Sequence, residues 1–259
     1  MELLKPDNPE YRRCEELILK RDMIMKEAAT IQIRYIREFG ALMLESFKTK
    51  SDCLKYKKRM AYCQMMIGHG KVIKQKDMQR FVERETVGFD NQYLMISHDF
   101  ARANNTELAT EAVQLEAGQL YRKIALRIHP EINSRTMIIP GLTDLWNEVM
   151  AAFHENSVGD LIRLDAMADE ELDKLGPYLE VYIPNMKEKI IRLEEEIDAV
   201  ISTDPYRYRD ILANPALVRE KRETLEREIR DYREYQEDLE KKFEAIFMHR
   251  KIRFMWERV

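Results

Sequence analysis

The sequence predicts an all-α, elongated fold in which long helical hairpins and coiled coils flank a central helix pair. Three observations predict it. Charged residues make up 35% of the 259-residue chain, while Gly and Pro number only eight each. That mix suits long solvated helices and is poor in the turns a β-sandwich needs. Apolar residues recur at three- and four-residue steps through most of the chain. In the last third the spacing becomes heptad-like, and a seven-residue repeat specifies a left-handed coiled coil.

Taken in order, Met1 to Glu10 carries Pro6 and Pro9 and reads as an irregular lead-in. From Tyr11 to Phe47 a helix presents Cys14, Leu17, Ile24, Ala28, Ile31, Tyr35 and Leu42 as a narrow seam, interrupted by Arg21 and Glu38. A break is expected near Lys48–Asp52, with Ser51 or Asp52 capping a second helix from Cys53 to about Arg84. The short connection makes an antiparallel hairpin the economical arrangement. Thr86 to Asp90 reads as a turn around Gly88, Asn91 to Ala103 as a short helix, and Thr106 as the N-cap of the next one.

The central pair comprises Gln119–Glu131, QLYRKIALRIHPE, and Gly141–Phe153, GLTDLWNEVMAAF. Tyr121, Ile124, Ala125 and Ile128 fall at i, i+3, i+4 and i+7, and Leu142, Leu145, Trp146, Val149 and Phe153 make a matching stripe. Buried against each other, they form a hairpin with Arg122, Lys123 and Arg127 on its outer side. Pro130 stops the first helix, because proline disfavours the helical conformation in the residue before it. A short helix carrying Leu161, Ile162, Leu164 and Met167 follows, with Asp160 as its cap. Gly176-Pro177 and Pro184 then mark a boundary.

Beyond it, Met186, Ile190, Leu193, Ile197 and Val200 form one heptad seam. Val218, Leu225, Ile229, Tyr232, Leu239, Phe243 and Ile246 form a second, with Arg222 and Gln236 as polar exceptions. Folded on each other, the two arms would make an antiparallel coiled-coil hairpin. The expected division is therefore 1–104, an N-terminal helical hairpin; 105–170, the central helical domain; and 171–259, the coiled-coil hairpin. The second arm is longer than the first, so its surplus needs another surface, either in this chain or in a partner.

The central stretch resembles the J domain of DnaJ-like co-chaperones, in which a helix of the type YRKLALKYHP ends in His-Pro-Asp and an aromatic-bearing helix packs back on it. Tyr121, Arg122, Lys123, Ala125, Leu126, His129 and Pro130 match position by position. The likeness spans roughly Glu107 to Met167, and the layout is similar to a divergent bacterial group with the hairpin set between coiled-coil arms. Two departures stand out. Glu131 replaces the aspartate, and the short first helix of an ordinary J domain is not evident.

The resemblance implies a non-enzymatic co-chaperone or adaptor. His129, Pro130, Glu131, Arg122, Lys123 and Arg127 would dock on a heat-shock ATPase, and the arms would hold a client or a second copy of the chain. The docking would rest on basic steering and a placed carboxylate, and glutamate sets that carboxylate one methylene further out. The competing reading is a structural or scaffolding coiled-coil protein that retains a J-like unit without ATPase coupling. Taken alone, the cations are an ordinary solvated helix face, His129 a capping residue, and Trp146 and Phe153 core.

Other chemistry finds little support. His69, His98, His154 and His249 lie in no metal-binding spacing, and no GxSxG, Walker or Rossmann pattern occurs. Gly68-His-Gly70 is too short to cradle a phosphate. No metal, cofactor or catalytic set is therefore expected. The 15 methionines are scattered over several seams and read as core filling. Arg250, Lys251, Arg253 and Arg258, with Phe254 and Trp256 between them, make a basic tail. The formal net charge of -4 argues against nucleic acid as the main partner. Cys14, Cys53 and Cys63 show no CxxC pairing and suggest buried free thiols in a cytoplasmic setting. No leader or membrane span is read from the sequence.

Overall fold

The computed structural model describes residues 2–176, 178–248 and 254–255, with backbone alone at 2–4, 178–180, 248 and 254–255. The fold is all-α. The helices are α1 (Pro9–Gly68), α2 (Gln75–Asn105), α3 (Glu111–Ile128), α4 (Pro140–Glu155), α5 (Val158–Asp173), α6 (Met186–Ser202), α7 (Tyr208–Ala213) and α8 (Pro215–Met248). Four very short strands pair in parallel: β1 (Glu2–Leu4) with β3 (Tyr178–Glu180), and β2 (Ile73–Lys74) with β4 (Phe254–Met255). The basic-tail residues Arg250, Lys251, Arg253, Trp256 and Arg258 lie outside the described residues.

Two compact units form, each from discontinuous segments: residues 1–32 with 107–209, and 33–106 with 210–259. This differs from three consecutive domains, and the reason lies in α1, whose first part enters one core and whose second part enters the other. The break expected at Lys48–Asp52 is absent. Thr49 Oγ1 donates back to the Glu45 carbonyl at 2.7 Å, Ser46 Oγ donates to Glu228 at 2.8 Å, and Lys50 pairs with the same glutamate. Thr49, Ser46 and Lys50 are thus satisfied inside the helix and by α8, while the buried Ser51 hydroxyl finds no partner among the described residues.

The helix ends at Gly70 (φ 61°), where Lys71 N–H reaches the Met66 carbonyl and Gly70 N–H the Ile67 carbonyl. This is a Schellman closure, which needs a left-handed residue at that position. Likewise, Thr86–Asp90 is not a turn but mid-helix in α2, with Thr86 fully buried. Thr106 closes α2, and Thr110 caps α3 by accepting from Val113 N–H.

In the first unit, α3, α4 and α5 pack on one another. Tyr121 stacks on Phe153 with ring centroids 3.8 Å apart and planes at 14°. Trp146 is 8% exposed, and Phe153, Ile124, Ile128, Leu142 and Val149 are fully buried. At roughly 1.5–3 kcal/mol for each large apolar side chain buried, these stripes are core. Tyr11, Cys14, Leu17 and Ile18 of α1 join that core, as do Leu193 and Ile197 of α6. The α6 seam is therefore spent within this unit.

In the second unit, α2 runs antiparallel to α1, with Phe89 beside Phe47 and Phe81 beside Tyr62. The α8 helix runs parallel to α1. Arg222 pairs with Glu38, Arg233 with Glu45, and Cys53 Sγ donates to the Tyr232 carbonyl at 3.3 Å. Leu225, Ile229 and Leu239 are buried there. The expected α6–α8 antiparallel hairpin does not form, because each seam finds its apolar partner on a different unit's core. The surplus length of the second arm is taken up by α1 of the same chain.

Two glycines give opposite predictions. A Cβ at Gly40 would lie 2.4 Å from the Phe100 ring, whereas one at Gly88 meets nothing within 4 Å. Gly40→Ala should destabilise the protein by about 1–3 kcal/mol through overpacking. Gly88→Ala should stabilise it by up to about 1 kcal/mol through helix propensity. Urea unfolding of the two variants measures both signs.

Candidate functional site

The tripeptide lies where α3 stops. His129 ends the helix in an extended conformation, with its N–H on the Ala125 carbonyl, and Pro130 and Glu131 turn the chain. His129 is only 5% exposed, and its ring meets the Trp146 edge at 4.6 Å. Nδ1 accepts from Glu131 N–H at 3.0 Å, which leaves Nε2 to carry the proton toward Asp22 Oδ2 at 3.1 Å. The same Asp22 oxygen accepts from the Tyr121 hydroxyl at 2.7 Å, and the other oxygen accepts from Arg21.

Arg21 then extends the network to the tip. Its guanidinium donates to Glu131 Oε1 at 2.6 Å, and Lys189 of α6 sits 3.0 Å from Oε2. Both carboxylate oxygens of Glu131 are thereby taken. Burial disfavours ionisation of Glu131, but the hydrogen bonds from Arg21 and Lys189 overcome it and hold the carboxyl below its ordinary range. The same balance operates at Asp22, where burial is outweighed by the hydrogen bonds from His129 and Tyr121 and the charge of Arg21. Tyr121 is pushed in the opposite direction, first by burial and then by the Asp22 charge.

The structure separates the expected site residues by environment. His129, Pro130 and Glu131 adjoin one another, with the first buried and the other two half-buried. Arg127 is folded onto α5, paired with Asp165 and Asp169, and Lys123 also reaches Asp165. Arg122 is exposed and makes no ion pair among the described residues. On the loop after the tip, Met137 and Ile138 are 64% and 76% exposed.

The residues that hold the tip are Arg21, Asp22 and Lys189, while Asp165 and Asp169 hold the cations of α3; none of the five is among the expected site residues. A signal existed for Arg21, which breaks the apolar seam of α1. His69 and His98 are exposed, His98 lies beside Asp99, and His249 lies outside the described residues. Among the described residues, no three His, Cys, Asp or Glu side chains converge to hold a metal ion.

A buried lysine adjoins the network. Lys26 is 8% exposed, with Nζ 3.9 Å from the centre of the Phe153 ring, and burial lowers its pKa to about 8. The amine faces an aromatic surface.

Two pH predictions follow from these shifts. Glu131 titrates lower in the folded than in the unfolded chain, so its contribution is present above the ordinary value of 4.5 and lost as pH falls through the folded value. Glu131→Gln should therefore cost about 1–3 kcal/mol at pH 7, and the deficit should shrink in acid. Lys26 binds more protons unfolded than folded between pH 8 and 10.5, so stability should rise across that window. Lys26→Met should remove the rise and add about 2 kcal/mol at pH 7. Chemical denaturation across pH reads both.

No family model, curated protein or solved structure matches the chain.

Proposed function

We propose that the protein is a non-enzymatic, J-like adaptor that binds protein partners and uses its His-Pro-Glu tip as an internal staple, without coupling to a heat-shock ATPase. The observation that carries this reading is the occupancy of Glu131. Its carboxylate lies between Arg21 and Lys189, while the neighbouring His129 is spent on Asp22. A docking partner would have to displace two cations from a half-buried carboxylate, and losing one member of such a pair costs several times what an exposed pair is worth. The free, buried Cys14, Cys53 and Cys63 support a reducing, cytoplasmic setting.

A second reading is an ATPase-stimulating co-chaperone. It is favoured by one part of the geometry: Arg122 and Lys123 are exposed, and Met137 and Ile138 beside the tip are uncovered. An ATPase assay with a purified seventy-kilodalton heat-shock chaperone separates the two. The adaptor reading expects turnover to stay at the chaperone's basal rate when the native protein is added. Stimulation that disappears in the Arg122→Glu, Lys123→Glu double variant would install the co-chaperone reading instead.

A further inference from the structure

Three sulfur-bearing residues share one apolar cluster in the second unit, where α1 gives way to α2. Cys63 of α1 is fully buried, and its Sγ donates to Met78 Sδ of α2 at 3.7 Å. Met66 lies three residues past Cys63, on the same face of α1, and packs against the same cluster. The other two cysteines are placed differently. Cys14 donates to the Met186 carbonyl and Cys53 to the Tyr232 carbonyl, so each of those thiols faces oxygen where Cys63 faces sulfur.

The surroundings restrict what these sulfurs can do. Ile73, Phe81 and Phe243 belong to the same cluster, and burial pushes the Cys63 thiol up to about 11. A bare thiolate there is uncompensated, so the thiol keeps its proton at neutral pH unless another cation replaces it. Thiolate and thioether ligands select soft ions. A monovalent ion on a thiolate is electrically neutral, which suits an apolar cluster, whereas a divalent ion leaves a positive charge there without a counterion.

We infer that Cys63, Met78 and Met66 form a binding site for a soft monovalent metal ion, Cu(I). The Cys63 sulfhydryl gives its proton to solvent, its sulfur bonds the ion, and the two thioethers donate lone pairs. One proton is therefore released for each ion bound, and no electron changes hands. With metal–sulfur bonds of about 2.3 Å, the 3.7 Å between Sγ and Sδ sets a sulfur–metal–sulfur angle of about 107°, close to tetrahedral. The flexible thioethers absorb the remaining adjustment. Met78 also borders the cleft between α1, α2 and α8, which gives an ion a route to its sulfur. Once bound, the ion clips α1 to α2 across the turn at Gly70 and stabilises the folded chain by mass action. The site shares no residue with the His-Pro-Glu tip, so it goes beyond the adaptor reading and does not rest on it.

The test titrates the full chain, reduced and under nitrogen, with Cu(I) held as its bicinchoninate complex. Loss of the complex's colour should show one Cu(I) taken up per chain, with one proton released. Cys63→Ser should abolish the uptake, whereas Cys53→Ser should retain it. Because a hydroxyl buried at Cys63 costs stability, Met78→Leu is the second variant. It conserves volume, should leave circular dichroism unchanged and should weaken uptake at least about tenfold. X-ray absorption at the copper edge should show sulfur alone around the metal. The proposal is overturned if Met78→Leu binds as tightly as the native chain, if Cys63→Ser still takes up the ion, or if the native chain draws no Cu(I) from bicinchoninate. Oxygen or nitrogen ligands in the absorption spectrum, or Zn(II) bound as tightly as Cu(I), would also overturn it.

Discussion

Two adjacent residues of α1 organise the first unit. Arg21 and Asp22 bring a cation and an anion to the end of α3, where the backbone turns at His129-Pro130-Glu131. Asp22 accepts from Tyr121 and His129, fixing both rings against the aromatic core. Arg21 bridges Asp22 to Glu131, and Lys189 closes the far side from α6. Buried charges are tolerated only when paired and hydrogen-bonded, and here each member supplies what its neighbour lacks. Helix α3, the turn after it, α1 and α6 are thus held in register by one polar network set into an apolar core.

That network bears directly on what the tip can do. A carboxylate that recognises a partner must be free to change ligands, and Glu131 already has two. The longer glutamate side chain is consistent with reaching cations on α1 and α6 instead of pointing to solvent. Arg127 is similarly committed to α5, and Lys123 shares its Asp165 partner while staying exposed, which leaves Arg122 as the cation of the basic face with no ion pair among the described residues. The proposed adaptor role follows from this distribution.

Much of the fold was legible in the sequence, because it depends on periodicity. The Tyr121–Ile128 and Leu142–Phe153 stripes are buried as their spacing requires, and the α6 and α8 seams are apolar as their heptads require. What those seams pack against was not legible. Heptad spacing says that a helix needs a partner but not which one, and α1 was long enough to serve both. Glu38 and Arg222 each looked like a flaw in a separate seam, yet they pair with each other. Arg21 looked like a third flaw and is the centre of the site. The Lys48–Asp52 segment carries cap residues and Thr86–Asp90 a glycine, both local signals of a helix break, and tertiary packing overrides them by burying Thr49, Ser51 and Thr86 within continuous helices.

Helix α1 staples the tip through the Arg21–Glu131 pair. A double-mutant cycle measures that directly, with Arg21→Ala, Glu131→Ala and the double variant unfolded in urea at neutral pH and low salt. The expected coupling energy is about 1–2 kcal/mol, with the double variant less destabilised than the sum of the singles. Single effects that add to within about 0.3 kcal/mol would mean that the two side chains act independently, and would contradict it.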